Sequence, residues 1–249
     1  MEKPFIFPYD NSLDMSRCPA ILADDSTYYH NGIRVPRVTH ILASMLHDDY
    51  LIPWANAMGL YKHLKYDEIM DKATGIGSIV HNGIEDYLQN GKELDFSTVS
   101  EEYKSGAYNA WSAFKSWWST IEKHDYKILM EEQTITCQYY GGTLDLLIQI
   151  DGKIYLLDFK TSNHLSYKYF LQLAAYRRAL FYEMNINIDG CILLQLSKRS
   201  KTYNEVMLFM DDPMDAEYMR RCDSMFMTLV YGYHQRQAIE DQASVIIKR

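Results

Sequence analysis

The 249-residue chain has only four cysteines, Cys18, Cys137, Cys191 and Cys222, and no two of them lie close together. Zinc ribbons and iron–sulfur clusters need tighter ligand spacing, at least within pairs, so neither is expected. Four separated thiols fit a reducing compartment. The first ten residues, Met1 to Asp10, carry no basic n-region and no long apolar run, so no signal peptide is expected. No window approaches 18 apolar residues, so no transmembrane helix is expected, and no membrane partner is expected. There is no GxxxxGK[ST] loop, so ATP-driven work on this chain is not expected. No Ser-His-Asp or Cys-His arrangement stands out in the chain. Internal repeats and low-complexity segments are absent. Positive charge is in deficit: 25 Lys and Arg against 33 Asp and Glu give −8 with His neutral. That argues against a generally basic nucleic-acid binder but leaves room for a local basic groove.

What is present is a foldable globular chain. Hydrophobic residues make up 47% and charged residues 23%, ordinary values that exclude disorder. The length fits one large domain or two small ones and can bury a full core without disulfide staples. The 21 tyrosines can serve a core, a base-stacking surface or both.

The pattern divides the chain into a helical front, a strand-rich middle and a helical tail. Residues 1–34 read as an ordered arm or irregular lead-in, with turns at Asp10-Asn11-Ser12 and His30-Asn31-Gly32. Val38 to about Leu64 is helical but broken by Pro53. A clearer helix spans 74–89, with Thr74 as N-cap and Gly91 as stop. Another runs from about Glu101 to His124; its Trp111, Phe114, Trp117, Trp118 and Ile121 recur near helical spacing and read as core. Strands are expected at Lys127–Gln138, Gly142–Ile150 and Lys153–Lys160. A helix follows at 166–184, then strands Gly190–Leu196 and Tyr203–Met210, and a closing helix from Asp215 to about Gln242. The order ααβββαββα predicts a single α/β domain over 35–249: helical front 35–125, sheet core 126–210 and C-terminal helix 211–249.

Asp151-Gly152 between two β-rich runs is a strong hairpin signal. A two-residue loop pairs Ile150 with Lys153, and continuing that register sets Asp145 opposite Asp158. Cross-strand partners have Cβ atoms roughly 4.5–5.5 Å apart, where like charges repel. One acid would have to take up a proton, or a hard cation such as Mg²⁺ or Mn²⁺ would bind both. Lys160 shares a face with Asp158 by the two-residue period. Leu144, Leu146, Leu147, Ile154, Leu156 and Leu157 make both strands apolar on both faces, so both faces are expected to be covered. Weaker signals are His81 and Glu85 on one helix face, Glu131 and Glu132 in the preceding strand facing opposite ways, and Gln172 stacked with Tyr176.

Together these residues resemble a known family. Gly142-Thr143-Leu144-Asp145, Leu157-Asp158-Phe159-Lys160-Thr161 and Gln172 to Tyr176 resemble the PD-(D/E)xK nuclease superfamily. Gly77-Ser78-Ile79-Val80-His81 before the sheet, with the QxxxY helix after it, is similar to the RecB-like exonuclease branch. Val35 to Leu42, followed by Trp54, resembles the lead-in of phage and mitochondrial-genome-maintenance-type exonucleases. The resemblance covers about residues 35–204. Leu144 replaces the usual proline before the first acid, the second acid is aspartate, and the cluster-binding cysteines of some relatives are missing.

The resemblance implies a restriction-endonuclease-like core, a central mixed sheet flanked by helices with an extra N-terminal helical region and a C-terminal helix. It implies a Mg²⁺- or Mn²⁺-dependent DNA exonuclease without an iron–sulfur cluster, acting in recombination, repair or phage genome processing. Asp145, Asp158 and His81 would bind metal, with the Phe159 carbonyl as an extra ligand. Lys160 would orient or activate the attacking water. Glu132 is the preferred upstream acid and Glu131 its alternative. Gln172 and Tyr176 would position the DNA strand or the lysine. Residues 159–204 hold seven cations against Glu183 and Asp189, a local +5; Lys168, Arg177, Lys198, Arg199 and Lys201 are the expected DNA-facing ones. Tyr167, Tyr169 and Tyr203 offer stacking faces. The expected partners are linear DNA and a single-strand-binding or annealing protein, in the cytoplasm, or the host cytoplasm for a phage protein. An endonuclease on the same core and a non-catalytic DNA-binding module are the alternatives.

Overall fold

The computed structural model describes residues 27–46, 55–56, 60–61 and 65–247. Most of the arm, Cys18, the break at Pro53 and Trp54 lie outside the described residues. The chain begins with a short hairpin, β1 (Tyr28–His30) and β2 (Ile33–Val35), then helices α1 (Val38–Met45), α2 (Tyr66–Asn90) and α3 (Glu101–Ile121). Strands β3 (Tyr126–Cys137), β4 (Tyr140–Ile150) and β5 (Lys153–Lys160) follow, then α4 (Tyr167–Met184), β6 (Gly190–Leu196), β7 (Tyr203–Phe209) and α5 (Pro213–Ile247). The α/β class expected from the sequence is the architecture found. The N-terminal hairpin is additional to the expected order.

Five strands form one sheet in chain order, β3-β4-β5-β6-β7. Only β5 and β6, joined through α4, are parallel; the other neighbours are antiparallel. The β4–β5 turn uses positive φ at Asp151 (+49°) and Gly152 (+83°), which matches the right-handed twist of its strands. Its register runs from Ile150↔Lys153 to Leu146↔Leu157, as the turn residues predict.

The apolar residues of the sheet divide between two cores. Leu146, Ile148, Tyr155, Leu157, Phe159, Ile192 and Leu194 pack with α2 and α3, including Phe114 and Trp117. Leu144, Leu147, Leu156, Cys191 and Leu193 pack with α1, α4 and α5. Both faces are covered, as two-sided apolar strands require. The aromatic face of α3 is core, centred on Phe159, which stands 5.9 Å from Phe114 and 6.1 Å from Trp117.

One helix boundary corrects the sequence reading. Thr74 lies inside α2, which begins eight residues earlier with Lys65 as N-cap. Residues 66–73 lack Gly and Pro, so nothing stops the helix at Thr74. Gly91 ends it in the left-handed conformation, φ +67°, as a C-terminal glycine does. Among the described residues no helix is long and apolar enough to cross a membrane.

Candidate active site

The β4–β5 ladder stops at Leu146↔Leu157, one pair short of the two aspartates. There the Asp145 carboxylate replaces a backbone acceptor: its Oδ2 takes the Phe159 N–H at 2.7 Å. A strand residue points its N–H and C=O to the same edge, so the Phe159 carbonyl faces this gap too. Asp145 and Asp158 therefore flank the mouth of the opened hairpin.

Helix α2 supplies His81, whose Nδ1 lies 3.8 Å from Asp145 Oδ2. The α2 helix can approach because Gly77 has no side chain; a Cβ there would be 3.3 Å from Thr161 Oγ1. Strand β3 supplies Glu132. The pairs Glu131↔Leu146 and Gln133↔Leu144 on either side set it opposite Asp145, and its backbone is left-handed, φ +42°. His81, Glu132 and Asp145 each offer a ligand atom within 4.8 Å of the others. One imidazole and two carboxylates form a group that could hold a metal ion.

The positive φ falls at the pair Glu131 and Glu132, which the strand period alone sets on opposite faces. A left-handed residue breaks the two-residue alternation of the strand. Burial, with the Glu85 charge adding to it, pushes the Glu131 carboxyl up to about 7. Glu132 is pushed up to about 8, first by burial and then by Asp145, Glu85, Glu131 and Asp158. Glu85 thus belongs to the acidic group; its sequence signal was its spacing of four from His81.

Asp158 is 1% exposed and pairs with Lys160, whose Nζ lies 2.9 Å from Oδ1 and 2.8 Å from Oδ2. Burial raises the Asp158 carboxyl to about 7, with Lys160 opposing the shift and Asp145 adding to it. For Lys160, burial works against the ammonium, but Asp158 and Asp145 outweigh it and raise its pKa. Lys160 Nζ also donates to Gln172 Oε1 at 3.2 Å, and Gln172 Nε2 donates to the Tyr176 hydroxyl at 3.2 Å. The Tyr169 ring lies one turn before Gln172, with the ammonium 5.0 Å from its centroid. Tyr176 needs the missing side chain of Gly142 beside it, and the Tyr28 hydroxyl reaches Thr143 Oγ1 at 2.8 Å from the N-terminal hairpin. Tyr28 gave no sequence signal, being 115 residues from its partner.

The expected DNA-facing cations separate. Lys198, Arg199 and Lys201 lie on the β6–β7 turn, at the end of the sheet where Lys160 pairs with Gln195. Lys168 sits in the first turn of α4 and donates from Nζ to the Leu46 carbonyl at 3.1 Å. Arg177 is elsewhere: it lines an open cleft with Arg178, Tyr182, Ile188 and Asp223 toward the far end of α4. From Gln172 to Arg177 the helix turns by about 140°, beyond the site-facing stripe.

Comparison with known proteins yields no family model and no curated protein that matches. A solved structure titled "Crystal structure of SSO0001" is similar over 77% of this chain and 84% of that chain, at 16% identity and a TM-score of 0.31.

Proposed function

We propose that this chain is a divalent-metal-dependent deoxyribonuclease that hydrolyses phosphodiester bonds from DNA ends, in recombination, repair or phage genome processing. The observation that carries the reading is the convergence of His81, Glu132 and Asp145 within 4.8 Å beside the Asp158–Lys160 pair. These residues come from four elements across 80 positions of sequence, and their resemblance to the RecB-like branch points the same way. So many acids held near one another, partly buried, are costly without a cation. His81, Glu132 and Asp145 would hold Mg²⁺ or Mn²⁺, with Asp158 and the Phe159 carbonyl alongside. When bound, the ion polarises the phosphate and acidifies a coordinated water.

The chain's own groups set the geometry. Asp158 and Asp145 favour the ammonium form of Lys160, which would donate hydrogen bonds to the attacking water or to a phosphate oxygen gaining charge. Gln172 accepts a hydrogen bond from Nζ and so orients the ammonium, and Tyr176 holds Gln172. Asp158 favours the charged form of the buried lysine.

The test is a time course on end-labelled linear duplex and single-stranded DNA beside a covalently closed circle, with Mg²⁺, Mn²⁺ or EDTA. The wild type should degrade the linear substrates only, and EDTA or Asp158→Ala should lower the rate by at least about 10³-fold. Cleavage of the circle would make it an endonuclease. No cleavage with either metal would overturn the reading.

A further inference from the structure

The β6–β7 turn is built for a ligand of opposite charge. It leaves β6 two residues after Gln195, the parallel partner of Lys160, which places it within about 10 Å of the Lys160 Cα. It is also rigid. Ser197 N donates to Thr202 O at 3.1 Å, and Ser197 Oγ accepts from Arg199 N at 3.2 Å and Ser200 N at 3.1 Å. Asn109 of α3 ties it down, donating from Nδ2 to the Lys198 carbonyl at 3.1 Å. Gln195 Nε2 donates to Ser162 O at 2.7 Å and joins the base of the turn to the segment after Lys160.

This frame presents three cations, Lys198, Arg199 and Lys201. Among the described residues none of the three has a carboxylate partner, in a chain of net charge −8. The nearby Glu205 carboxylate is engaged by Trp117 Nε1 at 2.7 Å. Burial and then the Arg199 charge depress the Lys198 ammonium. Lys201 Nζ lies 4.6 Å from the ring centroid of Tyr108, which is 46% exposed.

We infer that the Ser197–Thr202 turn, with Tyr108 beside it, binds the phosphate backbone of a nucleic acid strand passing the acidic site. The inference rests on the proposed nuclease activity for its choice of ligand. Cations on a fixed turn read charge and spacing but no base edge, so the contact is independent of sequence. Single-stranded and duplex DNA share this chemistry.

The test is binding of fluorescein-labelled single-stranded and duplex DNA in EDTA, where nothing is cleaved, at several salt concentrations. The double variant Arg199→Ala, Lys201→Ala should weaken binding about tenfold and lower the slope of log Kd against log salt by about 1.4 for single strands and about 1.8 for duplex. The control is Arg220→Ala, Arg221→Ala, which removes the same charge from α5, where Glu217 pairs with both arginines. It should leave the slope unchanged. Equal binding by both double variants and the wild type would overturn the inference while leaving cleavage, if seen, intact. A loss confined to the turn variant supports it even where no metal-dependent cleavage is found. No binding by the wild type would overturn it outright.

Discussion

Gly142 stands where no side chain fits. A Cβ there would lie 2.6 Å from both Cε1 and the hydroxyl of Tyr176, a residue only 3% exposed. Tyr176 cannot yield without releasing Gln172, and Gln172 in turn directs Lys160. Gly142→Ala should therefore cost about 1–3 kcal/mol of stability, the usual penalty for overpacking, and should lower kcat with it. Denaturant unfolding checks the first part; wild-type stability would mean the close approach is not a constraint. Gly142 was legible in the sequence only through its place before Asp145, and the reason for it is a helix 30 residues away. Glu132 shows the opposite limit. Its left-handed φ leaves no mark in a run of strand-forming residues, so sequence periodicity alone sends Glu131 and Glu132 to opposite faces.

Elements were legible where local chemistry decides them. Asp151-Gly152 fixes the β4–β5 turn and with it the register as far as Leu157; the opening beyond Leu157 comes from a side-chain bond, which no strand pattern reveals. Gly91 stops α2 visibly, while its start was placed too late because Thr74 resembles a cap. The long α5 was expected, and its anchoring was not. His234, 6% exposed, reaches from α5 to the β3–β4 turn, its Nε2 standing 3.0 Å from the Tyr139 carbonyl. Burial lowers the His234 pKa, with the Tyr139 bond opposing. The folded protein thus binds this proton less readily than the unfolded chain, whose histidine titrates near 6.5. The contribution of neutral His234 to stability is full above about pH 6.5 and is lost as the pH falls toward the lower folded value. Urea unfolding at pH 7.5 and 5 should show a smaller drop for His234→Gln than for the wild type. An equal drop would place the acid sensitivity elsewhere.

At the scale of the whole molecule, three layers meet at one end of the sheet. The α2/α3 layer brings His81, the sheet brings Glu132, Asp145 and Asp158, and α4 closes on Lys160 from the other side. Asp145, Asp158 and Lys160 were legible because a hairpin and a two-residue period place them. The wall built by Tyr28 was not, because the N-terminal hairpin docks through contacts far apart in sequence. A net charge of −8 coexists with the cationic β6–β7 turn because the charges are segregated rather than mixed. The proposed chemistry depends most on the acids sharing a cation, and a Mn²⁺ titration followed by thermal unfolding tests that directly. Ligand bound only by the folded state adds about 2.7 kcal/mol at 100 times its Kd. The wild type should show a saturable rise in Tm, and Asp145→Asn should show little or none. Identical responses from the two proteins, or no response from the wild type, would contradict the metal site on which the proposed chemistry stands.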